Sequence, residues 1–150
     1  VSASAPTALT ALDSSILIAA LLPWHEHHEV AQRAINRARE GGSLLLASRT
    51  LVEAYSVLTR LPAPHRLAPD DALSLLELNF RSARVESLGA DATWPFLASL
   101  PARGVAGGAV FDAEIVAVVH QAGAETMVTL DRKGFGRSAP PGLEVSVPEG

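Results

Sequence analysis

The sequence predicts an α/β domain built as a three-layer α/β/α sandwich around a central parallel five-stranded sheet. Three observations predict it. Five short apolar or alternating segments recur along the 150 residues, and helical stretches separate them. The stretches between them are long enough to carry the chain back for parallel pairing. Strands that alternate with helices argue for a parallel sheet covered on both faces.

The strand segments are "ALTALD" (8–13), "SLLLAS" (43–48), "RVESL" (84–88), "TMVTLD" (126–131) and "LEVSVP" (143–148). Each is bounded by Gly, Ser, Pro or charged residues, which interrupt strands. The first helix, "SSILIAALL" (14–22), stops at Pro23. The second, "HEVAQRAINRARE" (28–40), carries Val30, Ala34, Ile35 and Ala38 at helical spacing, with Gly41-Gly42 as its stop. The third, "RTLVEAYSVLTRL" (49–61), stops at Pro62. "PDDALSLLELNF" (69–80) opens on Pro69 and two acids, which suit a helix N-terminus. "ADATWPFLASLPARG" (90–104) is a poorer helix, interrupted by Pro95. "DAEIVAVVHQAG" (112–123) ends on Gly123. The whole chain reads as one domain, with 1–7 and 139–150 as peripheral tails.

Composition narrows the function classes. The chain is 48% hydrophobic and 19% charged, as a globular domain should be. It has no apolar run near the ~20 residues of a membrane helix, and its start lacks the basic and apolar regions of a signal peptide. It has no cysteine, so it has no disulfide frame, thiolate zinc site or cysteine nucleophile. That suits a reducing cytoplasm. A net charge of −4 argues against a generally basic nucleic-acid-coating surface. It leaves room for carboxylates that hold divalent cations and so reverse the local sign.

The stretch "WHEHHE" (24–29) invites a metal reading, with His25 and His28 one helical turn apart. The His-Glu-x-x-His zinc pattern fails, because Glu29 stands where the second histidine belongs. A third ligand is not evident, and the stretch reads as a solvated helix start after Pro23.

Four acids are more informative. Asp13 ends the first strand segment and Asp131 the fourth. Ser14 and Ser15 are equally good helix caps, so capping alone does not require Asp13. Glu53 interrupts the apolar run Leu51, Val52, Ala54, Val57, Leu58, and Asp112 precedes a strongly apolar helix. Singly, each has a structural explanation. Together they lie at strand ends or helix starts, where open parallel sheets form their sites. Four carboxylates in one cleft repel unless a cation joins them. Hard oxygen ligands favour Mg²⁺ or Mn²⁺, and such a site suits phosphodiester cleavage.

"ALDSSILIAALLPWHEHHE", "SRTLVEAYSVLTRLP" and "VFDAEIVAVVHQAGAETMVTLDRKGF" together resemble the PIN domain, and within it the VapC toxins of bacterial toxin–antitoxin pairs. The resemblance runs in the right order over nearly the whole chain. It implies a PIN-like fold and a Mg²⁺- or Mn²⁺-dependent endoribonuclease, in which metal-activated water attacks phosphorus in line. It places Asp13, Glu53, Asp112 and Asp131 at the family's catalytic and metal-holding positions, with Ser15 lining the same site. It further implies an RNA substrate, a VapB-type antitoxin and a homodimer. Arg49, Arg132 and Lys133 are candidates for holding the RNA backbone. One departure stands out: the family's last motif frequently reads Asp-x-Asp-Phe, whereas "DRKGF" has Lys133 in place of the second acid and an additional Gly134. That puts the number of metals in question and keeps a non-catalytic PIN-like binding module as the alternative. An aspartate-nucleophile phosphatase fits less well, because "DSS" lacks its second acid.

Overall fold

The structure is a computed structural model and describes residues 8–136 and 139–149. Five strands, β1 (Ala8–Leu12), β2 (Gly42–Ala47), β3 (Arg84–Glu86), β4 (Thr126–Val128) and β5 (Glu144–Ser146), form one sheet in the order β3-β2-β1-β4-β5. Every neighbouring pair is parallel. The helices are α1 (Ser14–Leu21), α2 (His28–Gly41), α3 (Ser48–Thr59), α4 (Pro69–Phe80), α5 (Ala90–Ser99), α6 (Ala109–Gln121) and α7 (Arg132–Gly136). This is the predicted sandwich.

A parallel sheet must be apolar on both faces, and β2 shows it: Leu44, Leu45, Leu46 and Ala47 are all buried in succession. One core cluster joins Leu12, Ile16, Leu17, Ala34, Ile35, Leu58 and Phe80 from β1 and α1–α4. The other joins Ala11, Leu45, Ile115, Val119, Met127 and Phe135 beneath α6 and α7. Helix α2 shows the amphipathic rule in miniature, with Val30, Ala31, Ala34 and Ile35 buried and Arg33 and Arg37 exposed.

Several boundaries differ from the expected ones. The helix expected over 90–104 ends at Ser99, because Pro101 has no N–H to continue the ladder. A 3₁₀ turn at Pro101–Arg103 follows, closed by Gly104 at φ +66°. Helix α6 begins at Ala109, so Asp112 lies within its first turn rather than at its first residue. Strand β4 stops at Val128, leaving Asp131 three residues beyond it, and the short helix α7 was not foreseen. The strand read at 143–148 is β5, shortened to Glu144–Ser146 and lying within the segment 139–150 also read as a peripheral tail: Glu144, Val145 and Ser146 pair with Thr126, Met127 and Val128, and Leu143 is buried. The other expected tail, 1–7, lies outside the described residues.

Residues 24–27 form the turn between α1 and α2, so His25 and His28 do not share a helical face. The Nδ1 of His28 lies 2.9 Å from the Ala19 carbonyl, and His25 Nδ1 accepts a hydrogen bond from the His27 backbone N–H. Trp24 stacks on His65 with ring centroids 4.1 Å apart.

Chain order along the sheet reverses at β1, which has β2 on one side and β4 on the other. Doubly wound sheets form their binding crevice at the carboxyl ends of strands beside such a reversal. Asp13 follows β1 directly, and its N–H donates to the Val128 carbonyl at the end of β4 (3.2 Å).

Candidate active site

Asp13 is the N-cap of α1. Helix α1 starts at Ser14, so the cap position falls on the aspartate rather than on either serine. Its Oδ1 accepts from the Ile16 backbone N–H (3.2 Å) and from the Ser15 hydroxyl (2.5 Å). Its Oδ2 accepts from the Thr129 hydroxyl (2.5 Å). A carboxylate has roughly four acceptor positions. Three are used by these bonds and the Ser15 backbone N–H also bonds the carboxyl, so the buried Asp13 is fixed in orientation.

Ser15 and Thr129 also fasten the segment after β4. Ser15 Oγ accepts from the Leu130 N–H (3.0 Å), and Thr129 Oγ1 accepts from the Asp131 N–H (2.9 Å). Asp131 in turn caps α7, its Oδ1 accepting from the Gly134 N–H (3.1 Å). Thr129 is fully buried and links two of the four acids, yet nothing in the sequence marked it out. Thr129→Val removes both bonds while keeping shape. Leaving a buried acceptor unsatisfied costs about 1–3 kcal/mol. Chemical denaturation of that variant should show a loss of this size, and an unchanged midpoint would refute the bridging role.

Glu53 and Asp112 come from α3 and the first turn of α6. The Ser14 hydroxyl donates to Glu53 Oε2 (3.3 Å). Gly134 packs against both later aspartates: a Cβ built there would lie 2.5 Å from Asp131 Oδ2 and 3.2 Å from Asp112 Oδ2. All four predicted acids therefore stand at one end of the sheet, around the crevice beside β1 and β4.

Their electrostatics reflect crowding. Burial holds the Asp13 carboxyl above the usual aspartate range, against the lowering effect of its hydrogen bonds. Burial raises Glu53 as well, opposed by the Ser14 hydrogen bond and reinforced by the Asp112 charge. Asp112 is raised by burial and then by the Asp131 charge. Each of these three binds its proton more tightly folded than unfolded. Their stabilising contribution is complete below the ordinary values, 3.8 for Asp and 4.5 for Glu, and is lost as pH rises through the raised ones. A Glu53→Gln protein, which cannot acquire this charge, should melt above its parent in EDTA at pH 8. The margin should shrink as pH falls towards the carboxylate range, and a pH-independent margin would contradict this origin.

The basic candidates divide. Arg132 and Lys133 are exposed at the start of α7, directly after Asp131. Arg49 is engaged: its Nε and Nη2 both donate to Glu114 Oε1 (3.2 and 3.1 Å), and its guanidinium lies 4.6 Å from the centre of the Phe111 ring. Sequence reasoning missed Glu114, Ser14 and Thr129 as partners of site residues.

Among the described residues, no three Asp, Glu, His or Cys side chains are already gathered tightly enough to enclose an ion. The donor set nevertheless fits a hard cation held partly through water. It is all oxygen, and three of the carboxyls carry raised proton affinities that a cation would relieve. Asp13, Glu53, Asp112 and Asp131 are the residues that would hold it. Among the described residues no helix is long and apolar enough to cross a membrane.

Comparison with known proteins shows the family and the fold. Residues 10–139 match the PIN domain family. The chain is 38% identical over 119 residues to Ribonuclease VapC40 of Mycobacterium tuberculosis, covering 79% of this chain and 84% of that protein. The fold resembles the crystal structure of Mycobacterium tuberculosis VapC20, described as a sarcin-ricin loop cleaving toxin, with TM-score 0.68, 18% identity, and coverage of 87% of this chain and 96% of that one. It also resembles VapBC2 from Rickettsia felis bound to promoter DNA, with TM-score 0.68, 17% identity, and coverage of 94% and 99%.

Proposed function

The chain belongs to the PIN domain family, and from that premise we propose that it is a metal-dependent endoribonuclease of the VapC kind, the toxin of a toxin–antitoxin pair. What supports this reading most is that Asp13, Glu53, Asp112 and Asp131 lie at the same end of the sheet, beside its reversal point, three of them with raised proton affinity. A bound Mg²⁺ or Mn²⁺ supplies activation of a water and neutralisation of phosphate charge. Asp13, locked by Ser15, Ile16 and Thr129, anchors the set. Glu53 and Asp112 close it from α3 and α6, and Asp131 from the cap of α7. Exposed Arg132 and Lys133 hold the RNA backbone beside Asp131, Lys133 as a point charge on a phosphate. With a lysine where relatives frequently carry a further acid, one cation binds firmly and a second only weakly or with RNA. The products expected for this family are a 3′ hydroxyl and a 5′ phosphate.

The phosphatase alternative fits the geometry poorly. Ser15 stands where such an enzyme needs its general acid, and its hydroxyl is committed to Asp13 and Leu130. The partners of this reading are RNA, a VapB-type antitoxin and a second copy of the chain. Its test is incubation of the purified protein with mixed cellular RNA, in Mg²⁺ or Mn²⁺ against EDTA. Discrete cuts that need the cation support the reading. Identical fragments in EDTA would remove that support, and Mn²⁺ binding without cutting would favour the non-catalytic module.

A further inference from the structure

We infer that Arg49, Glu114 and Phe111 form a tether across the cleft that sets the spacing of Glu53 and Asp112, so that Arg49 and Glu114 are positioning residues. The consequence for metal binding rests on the nuclease reading above; the tether itself rests on geometry. Arg49 lies one turn before Glu53 on α3. Phe111 and Glu114 flank Asp112 on α6. The segments joined are therefore the ones that carry two of the acids.

The join has two parts. Arg49 grips one oxygen of Glu114 through Nε and Nη2, and its guanidinium stacks over Phe111. This is the only ion pair between two helices among the described residues. Elsewhere α3 packs chiefly on α1 and α4 and meets α6 only along a short stretch. Glu53 and Asp112 face each other with like charge across that stretch, and Arg49 also acts on Glu53 with the opposite charge. The Arg49–Glu114 pair joins the same two helices with opposite charge and so holds them together beside these acids. The side chains are 35% and 19% exposed, so the pair adds little to stability. Its effect is on distance: two carboxylates must stay close enough to share one cation. Arg49, expected from the sequence to hold RNA, is thereby committed within the protein.

The test titrates Mn²⁺ into the full chain by calorimetry and measures kcat and KM on a cleaved RNA, for the parent, Arg49→Gln, Glu114→Gln, the double variant and Arg49→Lys. Outer-shell partners of metal ligands typically alter affinity by about 10–100-fold. The tether predicts that each single glutamine variant weakens Mn²⁺ binding about tenfold, the low end of that range. The kcat falls while KM for RNA and the melting temperature stay close to the parent's. The double variant is no worse than either single, as expected of residues acting through one interaction. Arg49→Lys does not rescue, because it keeps the charge but loses the fork and the stack. A raised KM in Arg49→Gln with no change in Glu114→Gln would overturn the tether and make Arg49 an RNA contact. Variants that bind Mn²⁺ like the parent would also overturn it. A parent that neither binds Mn²⁺ nor cuts RNA would instead overturn the nuclease reading, and the claim about ion spacing with it.

Discussion

Replacing Asp13 by asparagine should cut metal-dependent RNA cleavage by well over a hundredfold, more than the roughly 10–100-fold expected of an outer-shell change. The fold should survive. Asparagine has the same shape, and its carbonyl oxygen still accepts from Ile16 and Ser15 as Oδ1 does. The oxygen facing Thr129 becomes an amide NH₂, which donates to the Thr129 hydroxyl instead of accepting from it. What disappears is the negative charge and one of the two carboxylate oxygens, both of which serve a cation. Asp13 is only 3% exposed, and burying a charge is costly without full compensation. In EDTA at neutral pH, the variant should therefore melt no lower than its parent. An RNA cleavage assay beside a thermal melt checks both halves. Parental cleavage would remove Asp13 from the site, and collapse of the melt would make it a structural cap only.

Gly134→Ala should be nearly as damaging to metal binding, although it adds only a methyl group. The added carbon would sit 2.5 Å from Asp131 Oδ2 and 3.2 Å from Asp112 Oδ2. Contacts under 3.0 Å force something to move, and the nearest atoms belong to two of the four acids. Asp131 does not swing away freely, since it caps α7 through the Gly134 N–H itself. Losing such a cap costs about 1 kcal/mol. The methyl therefore displaces carboxylates from their shared position while the core stays intact. Mn²⁺ affinity should fall at least about tenfold, in the range of outer-shell lesions, with far-ultraviolet circular dichroism unchanged. Parental affinity would mean that the pocket beside Gly134 has slack the geometry does not indicate.

Much of the fold was legible because its signals are local. Continuous apolar runs such as "SLLLA" marked buried strands, and Pro23, Pro62 and Gly123 marked helix ends. The four acids were proposed on a related ground: topology gathers strand ends, so residues far apart in sequence could be expected at one end of the sheet, where the structure has all four. What escaped depends on contacts between segments. Thr129 is an ordinary β-branched residue in an apolar stretch, and its importance arises from bonding to both Asp13 and Asp131. Glu114 reads as a solvated helical acid until α3 brings Arg49 against it. Gly134 looked like an inserted residue in "DRKGF", whereas its missing side chain makes room for two carboxylates. Helix α7 is five residues long and carries no periodic pattern, so only the Asp131 cap betrays it. The last strand was legible in "LEVSVP", but its flanking prolines also suggested a tail, and only the pairing with β4 shows that it completes the sheet.

The most direct test is anomalous diffraction from crystals of the protein soaked in Mn²⁺, with data collected at the manganese absorption edge. The predicted result is a single strong peak among Asp13, Glu53, Asp112 and Asp131, at metal–oxygen distances of about 2.0–2.6 Å from at least one of them. The peak should vanish in Asp13→Asn crystals. Manganese at the Trp24–His28 turn instead, or an empty carboxylate cleft in Mn²⁺-saturated crystals, would contradict the account.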